Sequence, residues 1–129
     1  MPLQWKIIYY ETANSECPIQ EFIDSRKERE QAKILSWLSL LEEQGPQLPR
    51  PYADLLDDGI HELRIQLSGT QVRILYFFCY QNFIVLTHAF PKHTQRVPRP
   101  EIRRAQHSRA DFFARYDDDS IREAYDEDV

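Results

Sequence analysis

Apolar side chains recur along this chain with two different periods. Residues 5–11, WKIIYYE, are aromatic and β-branched and predict a strand. Residues 17–24, CPIQEFID, predict a short helix with Pro18 in its first turn. Ser25 and Glu28 stand at the S-x-x-E spacing of a capping box and open a second helix over about residues 26–44. Its apolar stripe is Ile34, Leu35, Trp37, Leu38, Leu40 and Leu41, and Gly45 and Pro46 end it. The segment 45–59, GPQLPRPYADLLDDG, holds three prolines and reads as an irregular connector. Three closely spaced strands follow, over 59–67, 72–80 and 83–90. Gly69 lies in the first connection, and Gln81 and Asn82 are a two-residue hairpin candidate. From Pro100 to about Tyr116 the pattern is helical, with Pro100 at the first position and Glu101 in the first turn. Ile102, Ala105, Phe112, Phe113 and Tyr116 supply its apolar side, while Arg103, Arg104, Arg109 and Arg115 stay in water. The order of elements predicts an α+β fold: an N-terminal strand and a three-strand antiparallel meander, with helices before and after the meander.

Tight hairpins fix which side chains share a face. With Gln81–Asn82 as the loop, Tyr80 faces Phe83, Leu75 faces His88 and Arg73 faces Phe90. A loop of two or four residues at Gly69 puts even positions of the first strand on the side of odd positions of the second. Glu62, Arg64 and Gln66 then join Arg73, His88 and Phe90, and Lys92 continues that side beyond Pro91. The opposite face collects Leu63, Ile65, Leu67, Val72, Ile74, Tyr76, Phe78, Tyr80, Phe83, Val85, Thr87 and Ala89, and is expected to be the core under the helices. Leu75, Phe77, Ile84 and Leu86 make the cationic face half apolar.

With 129 residues and 42% hydrophobic side chains, the chain has the size and composition of one globular domain. Its apolar runs are too short for a helical membrane span, and the opening MPLQWKIIYYE lacks the basic start and cleavage site of a secretory leader. Two cysteines, Cys17 and Cys79, in no motif spacing suit a reducing, cytoplasmic setting. The net charge of −5 hides a segregation. Residues 1–59 carry six basic and eleven acidic side chains, residues 60–116 nine and three, and residues 117–129 one and seven. A basic half of this kind is the electrostatic footprint of a polyanion-binding surface. The last segment reads as a flexible acidic tail, 117–129, behind a domain of residues 1–116.

P-loop, dinucleotide-binding, nucleophile-elbow and zinc-ligand motifs are absent from the sequence, and His61, His88, His93 and His107 have no metal-ligand spacing, so no cofactor is expected. What stands out is a combination. Two arginines lie on adjacent strands, and HAFPKHTQRVP, residues 88–98, brings Lys92, His93, Thr94, Gln95 and Arg96 to the end of the next, with Arg99 just beyond. Phosphodiester cleavage calls for cations that stabilise the phosphorane and for a group that moves protons. The planar donors of arginine match phosphate oxygens.

LLDDGIHELRI, VRILYFF and HAFPKHTQRVP together resemble the HigB-like branch of the RelE/ParE toxin superfamily, often described as phage-derived host-inhibition proteins. The resemblance spans about residues 5–116. It implies a small RelE-like fold, an antiparallel sheet packed by N-terminal helices. It also implies a metal-independent endoribonuclease, the mRNA interferase of a type II toxin–antitoxin pair. Such toxins inhibit translation by assisting the mRNA 2′-hydroxyl in attacking the adjacent phosphate on the ribosome, leaving a 2′,3′-cyclic phosphate and a 5′-hydroxyl. Carried over by motif, Arg64 binds the scissile phosphate, Arg73 stabilises its transition-state charge, and Lys92 is the first lysine of the K-K-T block. His93 stands where the second lysine is usual and is a candidate acid or base, since imidazole titrates near neutrality. Thr94 orients the phosphate region, with Gln95, Arg96 and Arg99 as further RNA contacts, and Glu62 orients Arg64. The implied partners are the ribosome, mRNA and a helix-turn-helix, HigA-like antitoxin through which operator DNA is reached. The alternative is a non-catalytic module on the same fold, either a ParE-like gyrase inhibitor or an inactive relative that binds only its antitoxin.

Overall fold

In the computed structural model, which describes residues 4–125, the chain adopts an α+β fold. Strand β1 (Lys6–Tyr9) is followed by helices α1 (Pro18–Asp24) and α2 (Glu28–Gln44) and a 3-10 turn (Gly45–Gln47). Strands β2 (Ala53–Asp57), β3 (Ile60–Leu67), β4 (Thr70–Cys79) and β5 (Phe83–Pro91) come next, and then helices α3 (Arg99–Arg115) and α4 (Asp118–Tyr125). The sheet order is β1-β5-β4-β3-β2. The meander β2 to β5 is antiparallel, but β1 runs parallel to β5, with Ile7 opposite Ile84 and Tyr9 opposite Leu86, so the sheet is mixed.

Two local expectations meet a different geometry. Ser25 does not cap α2. Its hydroxyl donates back to the Phe22 carbonyl at 2.6 Å as α1 ends, and Lys27 precedes α2 without a side-chain cap. The connector 45–59 contains a strand, β2. Asp58 and Gly59 both have positive φ and form the two-residue turn that returns β2 onto β3. Asp-Gly is among the strongest hairpin signals, outweighed here by three prolines just upstream.

The register decides where the site forms. Leu67 pairs with Thr70 across a two-residue turn, so even positions of β3 do share a face with odd positions of β4. The β4–β5 turn takes three residues, with Tyr80 and Gln81 at positive φ and Cys79 opposite Phe83. That shifts the register by one from the expected Tyr80–Phe83 pairing. A bulge at Thr87 restores it: Tyr76 pairs with Leu86, then Leu75 with His88 and Arg73 with Phe90. Residues 83–86 therefore lie on the opposite faces from those alternation alone predicts, while the end that carries Arg73 keeps its expected pairing.

Both faces of the sheet are buried. On one, Ile19, Ile23, Ile34, Leu38 and Leu41 of α1 and α2 pack on Leu63, Ile65, Ile74, Tyr76, Ile84 and Leu86. On the other, Ala105 and Phe112 of α3 and Ile121 of α4 cover Ile8, Leu75, Phe77, Phe83 and Val85. The second face is thus a second core, and the acidic segment contributes to it through the fully buried Ile121. Residues 126–129 of that segment lie outside the described residues. Helix α3 begins at Arg99, after the loop 92–98.

Candidate functional site

Arg64 and Arg73 are direct Cα partners across β3 and β4. Like charges in that position repel, and a carboxylate offsets the repulsion. Glu62, one strand repeat from Arg64 and 4% exposed, places Oε1 at 2.9 Å from Arg73 Nε and Oε2 at 3.1 Å from Arg64 Nη2. The Arg73 contact is a buried ion pair, with side-chain exposures of 7% and 5%. Asp54, opposite Glu62 on β2, extends the alternation, with Oδ2 at 3.3 Å from Arg64 Nη2 and Oδ1 at 3.0 Å from Arg50 Nε. The arginine pair is therefore held in place by fixed carboxylates rather than left to solvent.

Beyond β5, the Lys92 amide donates to the Gln71 carbonyl at 2.8 Å, which ties the start of the 92–98 loop to β4. The Lys92 ammonium is pushed below the ordinary lysine range, first by burial and then by the positive charge of Arg73. Glu62 and Arg64 also act on it, with opposite signs. Lys92, Arg64, Gln95, Arg96 and Arg99 line one cavity of about 570 Å³, together with Glu62 and the apolar side chains of Val97 and Ile102. Arg99 reaches Asp57 Oδ2 at 2.8 Å from the same wall. A second cavity of about 730 Å³ opens on the other side of Lys92 and Gln95, lined by His93, Thr94, Gln66 and Gln71. Thr94 donates its hydroxyl to the Arg96 carbonyl at 2.6 Å, which shapes the loop.

Of the residues singled out in the sequence, the first cavity collects Arg64, Lys92, Gln95, Arg96 and Arg99, and the second collects His93 and Thr94. Arg73 lines neither. It is 6% exposed, and its Nη1 and Nη2 donate to the Val72 carbonyl and to Gln71 Oε1 at 3.2 and 3.3 Å. Its charge reaches the site through Glu62, Arg64 and Lys92. His88 shares the Arg73 face as expected but is sealed in, at 1% exposure. It lies 3.0 Å from Thr87 Oγ1 and 3.0 Å from Glu101 Oε1. Burial holds its pKa down at about 3 despite that carboxylate, with Arg104 acting in the same direction. A neutral ring fits these contacts when Nε2–H donates to Glu101, which leaves Nδ1 as an acceptor beside the Thr87 hydroxyl, whose one proton is shared with the Leu75 carbonyl at 3.2 Å. His88 thus fastens the start of α3 to β5.

Three contributors had no mark in the sequence reading. Asp54 and Asp57 lie on β2, within the supposed connector, and the Asp-Gly turn would have located them. Gln71, paired with Gln66, is positioned by the same register that pairs the arginines. A separate cavity of about 670 Å³, lined from β1, α1, α2 and α4, carries Glu11 and Glu42 and has the wrong sign for phosphate. Burial pushes the Cys79 thiol up to about 12, so it offers no thiolate at neutral pH. Among the described residues, no group of three His, Cys, Asp or Glu side chains is arranged to hold a metal ion.

Residues 21–110 match the family described as phage-derived protein Gp49-like (DUF891). The matched span runs from α1 into α3 and contains every residue of both cavities that flank Lys92. No curated protein matches the chain.

Proposed function

The chain belongs to the Gp49-like family, a family of RelE/HigB-like toxins, and on that basis we propose that it is the toxin of a type II toxin–antitoxin pair, of the HigB-like branch, that cuts mRNA on the ribosome. The observation that carries this is the Arg64–Glu62–Arg73 cluster beside a partly buried Lys92 of lowered pKa, opening into a cavity lined by Arg96 and Arg99. A phosphodiester in that cavity meets Arg64 as a planar donor and Arg96 and Arg99 along the flanking backbone. Lys92 in its neutral form takes the proton from the 2′-hydroxyl, and the 2′-oxygen attacks the adjacent phosphorus. The bond to the 5′-oxygen breaks, and that oxygen receives a proton, for which His93 is the candidate donor. Charge on the phosphorane is met by Arg64 directly and by the buried Arg73 through space.

A toxin of this family implies an antitoxin partner. We assign that role to a helix-turn-helix, HigA-like protein, through which operator DNA is bound, and place the activity in the cytoplasm. No helix among the described residues is long and apolar enough to cross a membrane. The test is cleavage of a defined mRNA by the purified protein, with and without programmed ribosomes, with cut sites mapped by primer extension. Cuts bearing 2′,3′-cyclic phosphates only in the presence of ribosomes are expected. Intact mRNA under both conditions, with gyrase trapped on DNA instead, would overturn the assignment.

A further inference from the structure

We propose that the second cavity, on the far side of Lys92, is a nucleobase pocket that reads the unpaired base next to the cleaved bond through Gln66 and Gln71. The proposal rests on the phosphate assignment above and adds the recognition step.

Three observations carry it. The cross-strand ladder on this face runs Glu62–Leu75, Arg64–Arg73, Gln66–Gln71, so the glutamine pair sits one strand repeat beyond the arginine pair. That step is about 6.6 Å, the order of the spacing between neighbouring phosphates of an extended strand. Second, the two cavities share Lys92 and Gln95 as their common wall. A ligand with a charge at Lys92 and more chain on either side fills both, and a free phosphate fills only one.

Third, the two amides are each engaged at one end, in opposite senses. Gln66 Nε2 donates to the Leu67 carbonyl at 3.0 Å, and Gln71 Oε1 accepts from Arg73 Nη2 at 3.3 Å. These partners settle which end of each amide is which. Both residues are exposed, and among the groups left unused are an acceptor, Gln66 Oε1, and a donor, Gln71 Nε2. A neighbouring donor and acceptor are what the edge of an unpaired base presents, and single-stranded RNA is read at such edges. The pair thus couples recognition to chemistry: Gln71 touches the base with one end and holds Arg73 with the other.

The experiment follows the side-chain amide resonances of Gln66 and Gln71 by NMR during titration of the whole protein with a dinucleoside monophosphate and, separately, with inorganic phosphate. Both amides are expected to shift with the dinucleotide and not with phosphate. In Gln66→Leu, the dinucleotide dissociation constant should rise about fivefold while that for phosphate stays the same. Amides that stay still with the dinucleotide, or move equally with phosphate, overturn the proposal. Ribosomal cleavage is read in parallel on mRNAs that differ only at the nucleotide beside the cut. Cleavage with unmoved amides removes the pocket and leaves the nuclease, whereas moving amides without cleavage keep the pocket and remove the nuclease.

Discussion

Arg64 and Arg73 face each other across β3 and β4, and one carboxylate, Glu62, holds both. Two guanidiniums at directly opposed positions would repel, and burial would amplify the repulsion. The arrangement exists because Glu62 gives one oxygen to each. Replacing it with alanine leaves a buried Arg73 facing a like charge. Glu62→Ala is expected to lower stability by about 3 kcal/mol. Chemical denaturation checks this, and an unchanged midpoint would mean that water replaces the carboxylate at no cost.

The lowered pKa of Lys92 gives the pH dependence of cleavage a direction. As the base, Lys92 acts when neutral, so the rate rises with pH and levels off below the ordinary lysine value of about 10.4. Arg73 depresses that pKa. In Arg73→Gln the rising limb should move to higher pH, in addition to any fall in maximal rate. A slower enzyme with an unmoved limb would show that Arg73 acts otherwise than through Lys92.

His93 occupies the position of a second lysine in the resembling pattern. With a proton-donating role, His93→Ala should slow cleavage by about 100-fold, within the usual range for one acid–base group. His93→Lys should recover most of the loss. Single-turnover rates on programmed ribosomes decide it, and wild-type speed in the alanine variant would release the imidazole from the reaction.

His88 makes the fold acid-sensitive. Its folded pKa of about 3 lies below the unfolded value of about 6.5, so between these two pH values the unfolded chain binds a proton that the native chain does not. Stability is complete above about pH 6.5 and falls as pH drops through that window, by up to about 1.4 kcal/mol per unit. His61 is shifted down as well, by burial, and adds in the same direction. Comparing wild type with His88→Gln between about pH 6.5 and 4.5 isolates the His88 share. The variant should show a shallower decline, and equal slopes would count against a neutral buried ring.

The acidic C-terminal segment is tied to the second core by one side chain. Ile121 is 1% exposed between β1, β5 and α3. Ile121→Ala is expected to cost about 2–4 kcal/mol. A loss within experimental error would make α4 an appendage whose removal the fold tolerates.

Much of the site follows from alternation in HELRIQL and VRILYFF. Strand parity is a local property, so the pairing of Arg64 with Arg73, and Lys92 beyond them, can be derived from hairpin lengths. The same parity misassigns Phe83, Ile84, Val85 and Leu86, because the β4–β5 turn holds one residue more than the simplest hairpin and Thr87 bulges to absorb it. Neither irregularity has a side-chain signature strong enough to read in advance. Strand β2 went unseen because prolines dominate its surroundings, although the Asp-Gly turn marks its end.

By itself, then, the sequence determined the kinds of most elements other than β2 and α4, and the meeting of two arginines and a lysine at one end of the sheet. These follow from backbone sterics and short-range periodicity. Only the tertiary structure decided that the second face is a core beneath α3 and α4, that His88 is sealed and neutral, and that Arg73 is walled in while Arg64 is open. It also decided that Lys92 divides one polar surface into two cavities. Burial and charge coupling depend on what packs against a residue from distant parts of the chain, and no local pattern carries that information.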